Sequence, residues 1–276
     1  SWDISAVTSM DAMFDGAALS IENYDLLFIV WSTLDVASDV QLGADGLIYC
    51  AGEWDRQELI DSKGWVIADA GRESLADCPY FVFTDATIQG GVDDWDSDVT
   101  QATLDYGHIS TWDVSQVTHM DTLFQGLSTF NDDISAWDMS RVTTTQNMFY
   151  HAGTFNGDVS AWDVSRVTRT VSMFYGNDVF NGDVSKWDMS SATTTKSMFQ
   201  SAKAFNGDVS KWDVSSVTNM QEMFYYAKAF NEDLSAWDFS RVTNMCRMFH
   251  GASAFNQDLS PWDVSSITSM QEMFSG

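Results

Sequence analysis

From residue 108 onward the apolar positions return every 25 residues, and each repeat contains two different rhythms. Residues 205–227, FNGDVSKWDVSSVTNMQEMFYYA, give the unit in full. In its first half a branched residue leads to a tryptophan across exposed positions: Ile134, Val159, Val184, Val209, Leu234 and Leu259 precede Trp137, Trp162, Trp187, Trp212, Trp237 and Trp262. This pattern predicts a very short strand with one face turned inward. In the second half the rhythm changes. Thr218, Met220, Met223, Phe224 and Ala227 fall at offsets of three and four, which predicts one or two helical turns. Thr218 with Gln221, and Thr268 with Gln271, have the spacing of a capping box that would start such a helix.

A period of this length means one small unit stacked on copies of itself. Counting Trp112, seven Trp-Asp pairs follow one another at 25 residues without a slip. Phe130, Phe155, Phe180, Phe205, Phe230 and Phe255 form a second column. No unit buries its own apolar face, so neighbours must do so, and the Trp, Phe and Met columns are the expected core. The Met column (Met120, Met220, Met245, Met270) is interrupted by Thr145, Thr170 and Thr195, and Asn177 stands where Ala152, Ala202 and Ala227 stand in other units. Two readings follow: a looser stretch with threonines turned outward or bonded to the backbone, or a polar groove for a ligand or partner.

Acidic columns run beside the apolar ones. Asp133, Asp158, Asp183, Asp208, Asp233 and Asp258 recur at the same position, about 4.8 Å apart if the units stack at strand spacing. Like charges at that separation repel by roughly 1 kcal/mol even in water. Either each carboxylate accepts backbone N–H groups of its own bend, with a Ser135-type hydroxyl alongside, or Ca2+ bridges successive units and cancels the repulsion.

The unit FNxD(I/V/L)SxWD(V/M/F)SxVTxMxxMFxxA resembles the BspA-like leucine-rich-repeat surface proteins across residues 108–276, and residues 1–14, SWDISAVTSMDAMF, read as one more copy. The resemblance implies an α/β repeat solenoid, leucine-rich-repeat-like, of short parallel strands and short helices with α/β capping segments. It also implies an extracellular, cell-surface location and a role in adhesion or surface architecture rather than catalysis. On this reading residues 1–16 are the last turn of one array, 17–78 its closing cap and junction, 79–107 an opening cap, and 108–276 a second array. Starting and stopping inside repeats, the chain is expected to be part of a longer tandem set. Leu26, Leu27, Val30, Trp31 and Leu34 predict a helical stripe in the closing cap, and Trp65, Val66 and Ile67 a buried strand. Val92, Trp95, Val99, Ala102 and Leu104 predict a helix in the opening cap, leading into a strand at 109–112.

A formal charge of −27 and a pI near 4.1 argue against nucleic-acid or anionic-membrane binding. Aromatic residues at 14% argue against disorder despite that charge. Cys50 and Cys78 both fall in the cap region, where they form either a disulfide that staples the junction or two partly buried thiols, while the odd Cys246 suggests an intermolecular bond or a solitary thiol. Asp94, Asp96 and Asp98 imitate the start of a calcium loop, but Val99 occupies its glycine position. A period of 25 is too short for Trp-Asp propeller blades, and His108, His119, His151 and His250 have no metal-ligand spacing. The expected function is therefore a non-enzymatic structural or adhesive surface protein whose partners are copies of itself, neighbouring arrays or other surface proteins and glycans. The alternative is a binding module that recognises glycans, divalent cations or a protein through its repeated face.

Overall fold

The computed structural model describes residue 2, residues 4–73 and residues 81–276. It divides into two compact units, Ser1–Phe81 with Asp93–Trp112, and Val82–Val92 with Asp113–Gly276.

In the first unit residues 4–16 form one coil, whose Met10, Phe14 and Gly16 N–H groups donate to the carbonyls of Gln41, Gly43 and Asp45. Helix α1 (Ile21–Ser32) starts at Ser20, whose hydroxyl accepts the Asn23 N–H. Strands β1 (Gln41–Gly43) and β2 (Ile48–Tyr49), helix α2 (Glu53–Lys63), and strands β3 (Val66–Ala68) and β4 (Gly71–Arg72) follow. β1 pairs with β3 and β2 with β4, both in parallel. The face that α1 buries differs from the expected stripe: Tyr24, Phe28 and Trp31 are buried, whereas Leu26, Leu27, Val30 and Leu34 are only partly covered. The three aromatics share one face at i, i+4 and i+7, and each has more surface to remove from water than a leucine. Trp65 is buried, but Val66 is 53% exposed, because β3 belongs to a two-stranded pair and alternate side chains leave it on the open face.

A polar network is buried among these elements. Arg56 clamps Asp69 through Nε (2.9 Å) and Nη2 (3.1 Å), and the Tyr24 hydroxyl donates to the same carboxylate. Burial pushes the Asp25 carboxyl up, and the Cys50 and Ala51 N–H groups that it accepts pull it back only in part. The opening segment contributes the end of α3 (Ile88–Ser97) and α4 (Val99–Tyr106), so the single expected helix is two. Asp98 breaks it, adopting a non-helical backbone and capping α4 by accepting the Gln101 N–H. Residues Ile109–Thr111 form a 3₁₀ turn, not the expected strand.

In the second unit β5 (Val82–Thr84) pairs in parallel with β6 (Asp113–Gln116), and six further coils follow β6's coil. Single parallel bridges link His119, Thr144, Arg169, Thr194, Asn219, Asn244 and Ser269 in sequence, one per coil. The rings stack in the same register. Trp162, Trp187, Trp212 and Trp237 lie 6.3–6.4 Å apart between centroids and within 6° of parallel. Phe155, Phe180, Phe205 and Phe230 repeat at 6.0–6.2 Å. These four indoles also donate to a carbonyl of the preceding coil, as Trp187 does to Val159 at 2.9 Å.

The helix expected in each repeat is replaced by linked turns. Two residues four apart take left-handed conformations, such as Asn147 (φ 56°) with His151 (57°), or Glu222 (57°) with Tyr226 (54°), and no α-helix contains these. The N–H groups of Thr145, Asn147, Phe149 and His151 donate to the carbonyls of Arg169, Val171, Met173 and Tyr175 in the next coil, so they are not available for helical bonds. Short i→i−3 bonds close the turns between them, Met148 to Thr145 for example. A similar bond from Trp187 N–H to the Val184 carbonyl makes the branched-residue-to-Trp segment a tight turn, not a strand. Thr218 does not cap a helix; its hydroxyl donates to the Thr193 carbonyl of the coil before.

Candidate functional site

Side chains that repeat in every coil mostly close the coils on one another. The Asn column is a ladder in which each side-chain oxygen accepts the N–H of the next Asn, from Asn131–Asn156 (2.7 Å) through Asn231–Asn256 (2.8 Å). The Thr column is another: Thr143, Thr168, Thr193, Thr218, Thr243 and Thr268 donate their hydroxyls to the carbonyl of the Thr one coil earlier. Each aspartate of the Asp133 column accepts the N–H of the serine two residues on at 2.8–2.9 Å, and those after each tryptophan do so at 2.9–3.0 Å from Asp113 onward. The backbone N–H and the hydroxyl of Ser160 hold the Asp158 carboxyl below the usual carboxylate range, and the hydroxyl and N–H of Ser210 do so for Asp208. Oδ1 in these columns is thus committed to its own bend. Among the described residues no group of three or more His, Cys, Asp or Glu is placed to hold a metal ion.

The Thr ladder begins on a residue that repetition does not announce. Asp85, just after β5, accepts the Thr118 N–H and hydroxyl, both at 2.6 Å, and the His119 N–H at 3.0 Å. Its carboxylate stands where an earlier coil would supply a carbonyl. Partial burial pushes this carboxyl up, but the donors from Thr118 and His119 outweigh it and hold the group well below the usual range. On the same edge the Gln89 amide donates to the Leu123 carbonyl.

The coils that interrupt the Met column carry the most distinctive surface. Thr145, Thr170 and Thr195 face inward and are buried, contrary to the outward reading. The Thr145 hydroxyl lies 3.3 Å from the Met173 sulfur, Thr170 donates to the Thr194 carbonyl, and Thr195 Oγ1 has no hydrogen-bond partner. Asn177 is buried too and fully engaged, donating to the Phe155 carbonyl and accepting the Phe180 N–H. Directly beside these threonines in sequence, the outer positions line a groove that includes Gln146, Arg169, Val171, Thr194, Lys196 and Asn219. No carboxylate lines it. Arg169 and Lys196 are 27 residues apart, so this cluster is invisible in a linear reading; only aligning the repeats column by column brings the two cations into neighbouring coils.

Cys50 is disulfide-bonded, and its expected partner Cys78 lies outside the described residues. Cys246 is a free, half-buried thiol in a turn, and its N–H donates to Asn244 Oδ1. Asp94 accepts the Tyr106 hydroxyl at 2.8 Å and Asp98 caps α4, so two of the three carboxylates of the calcium-loop imitation act within the helical segment. Among the described residues no helix is long and apolar enough to cross a membrane.

No curated protein and no solved structure matches the chain. A family model described as "Mycoplasma protein of unknown function, DUF285" matches residues 1–38, 93–211 and 177–276. These segments take in the coil at the start of the chain, helix α1, the second half of α3, α4 and the whole run of later coils. The chain belongs to the DUF285 family.

Proposed function

We propose that this chain is a non-enzymatic structural or adhesive surface protein, built as a leucine-rich-repeat-like solenoid of the BspA type within a longer extracellular coat or fibre. The observation that carries the reading is the register of the second unit: rings, amides and hydroxyls of each coil are met by the same groups of the next. Such an interior spends its side chains on continuity, and what varies from coil to coil is the surface, as a scaffold or an adhesin requires. The acidic surface keeps a densely aromatic chain in solution and suits an environment rich in cations. Antibody labelling and protease shaving of intact cells of the source organism test the location. Labelling before permeabilisation, with loss of the signal on shaving, is the expected result; a signal that appears only after permeabilisation refutes it.

The alternative, a binding module working through the repeated face, is favoured by one observation: the cation-lined groove is confined to a few coils, whereas the ladders run through all of them.

A further inference from the structure

We propose that the groove around Arg169 and Lys196 binds an acidic saccharide, one carboxylate on a polyhydroxylated ring. The charge distribution is the first reason. The chain has 13 basic against 40 acidic residues, yet this groove contains an arginine and a lysine and no carboxylate. Among the described residues neither cation is in an ion pair, whereas Lys203 and Arg247 of the same unit are paired with Asp178 and Glu272. Two unneutralised cations in neighbouring coils are a receptor for an anion, and the planar fork of Arg169 matches the paired oxygens of a carboxylate.

The hydrogen-bonding groups then say what surrounds that anion. The Arg169 guanidinium donates Nη2 to Gln146 Oε1 at 2.8 Å, which fixes the fork and leaves its other N–H groups to a ligand. The hydroxyls of Thr193 and Thr218, which also line the groove, donate into the ladder carbonyls of Thr168 and Thr193. They can therefore meet a ligand only as acceptors, and so require O–H or N–H donors from it. The Asn219 amide adds a donor, and the half-buried Val171 offers an apolar spot for the C–H face of a ring. A ligand with one acidic group and several hydroxyl donors answers all of these. A volume of about 490 Å³ gives room for a mono- or disaccharide. The chain's net charge of −27 repels a long polyanion, which favours a ligand with a single acidic group.

This inference goes beyond surface location, since binding in solution is read whether or not cells display the chain. The test is titration calorimetry of the whole chain with D-glucuronic acid at low salt, with glucose and glutarate as controls for the hydroxyls and the carboxylate alone. Saturable binding of glucuronate, at least tenfold tighter than either control and weakened by added salt, is expected. R169Q and K196Q should each weaken it at least tenfold with the melting temperature unchanged; both side chains sit outside the core, so folding is preserved. Absence of glucuronate binding, equal binding of glutarate or glucose, or undiminished binding by the R169Q/K196Q double variant overturns the proposal.

Discussion

Trp187→Ala probes the layered interior most directly. The indole is 3% exposed, lies between Trp162 (6.4 Å) and Trp212 (6.3 Å), and donates to the Val159 carbonyl at 2.9 Å. A buried indole removes about 200 Å² from water, worth about 5 kcal/mol at about 25 cal/mol per Å². Measured truncations of large aromatics cost about 3–5 kcal/mol, and the orphaned Val159 carbonyl belongs to that total. Trp187→Phe keeps most of the ring and loses the N–H, so about 1–2 kcal/mol is expected, chiefly from the unpaired carbonyl. Coils stacked in one dimension need not unfold together, so the suitable assay is hydrogen exchange resolved coil by coil, alongside urea unfolding. A loss of about 4 kcal/mol corresponds to roughly a thousandfold faster exchange, centred on residues 155–216 and fading along the array. If the alanine variant loses less than about 1 kcal/mol and exchange at those residues is unchanged, the rings do not hold the coils together.

Glycine is needed where a bulky side chain of the preceding coil lies over it. A Cβ on Gly176 would fall 2.4 Å from His151 Nδ1, and one on Gly251 would fall 2.6 Å from the Tyr226 ring. Gly176→Ala should therefore lower the melting temperature, and His151→Ala in the same chain should recover part of the loss; no recovery would point to backbone strain at φ 67° instead. The Asp85 cap predicts a pH effect. Its folded-state pKa is lowered, so the stabilisation is present above the unfolded value of about 4 and is lost as pH falls through the folded value. Protection of the Thr118 and His119 N–H groups, relative to their intrinsic exchange rates, should fall in acid, and Asp85→Asn should flatten that response; an acid response retained by the variant refutes the assignment. Because Oδ1 in the Asp133 and Asp138 columns already accepts a backbone N–H, millimolar calcium should leave the melting temperature within about 1 °C of its value in chelator. A large rise would restore the bridging reading.

What could be read from the letters was register. A strict period gives each coil the same residue at the same place, and the Trp and Phe columns follow from it. Conformation within the coil could not be read this way. Linked turns place Met220, Met223, Phe224 and Ala227 inward at much the same offsets as a helix does, so apolar spacing does not separate the two. The usual mark of a left-handed residue is glycine, and it is present at Gly126, Gly176 and Gly251. The companion positions hold Thr122, Asn147, Ser172, Ser197, Glu222 and Arg247, which hide the pattern. On α1 the stripe was misjudged because Tyr24 and Phe28 outweigh Leu27 and Val30 in the surface they bury. The site residues were the least legible. Asp85 occurs once, and the Arg169–Lys196 pair exists only across coils.

The interlayer amides have a sense of direction. Four N–H groups of each coil, those of Thr195, Ser197, Phe199 and Ser201 for instance, point forward to the carbonyls of the coil that follows. Every layer is thus a socket on one side and a plug on the other, with the same pitch and the same partners. Removing or duplicating any whole block of 25 residues within the run leaves two surfaces that still mate, whereas a cut of any other length puts the rings and ladders of the two faces out of register. An array of this kind can lengthen or shorten by gene duplication and loss in single-coil steps without redesigning its interior, while surface features such as the cationic groove travel with the coils that bear them.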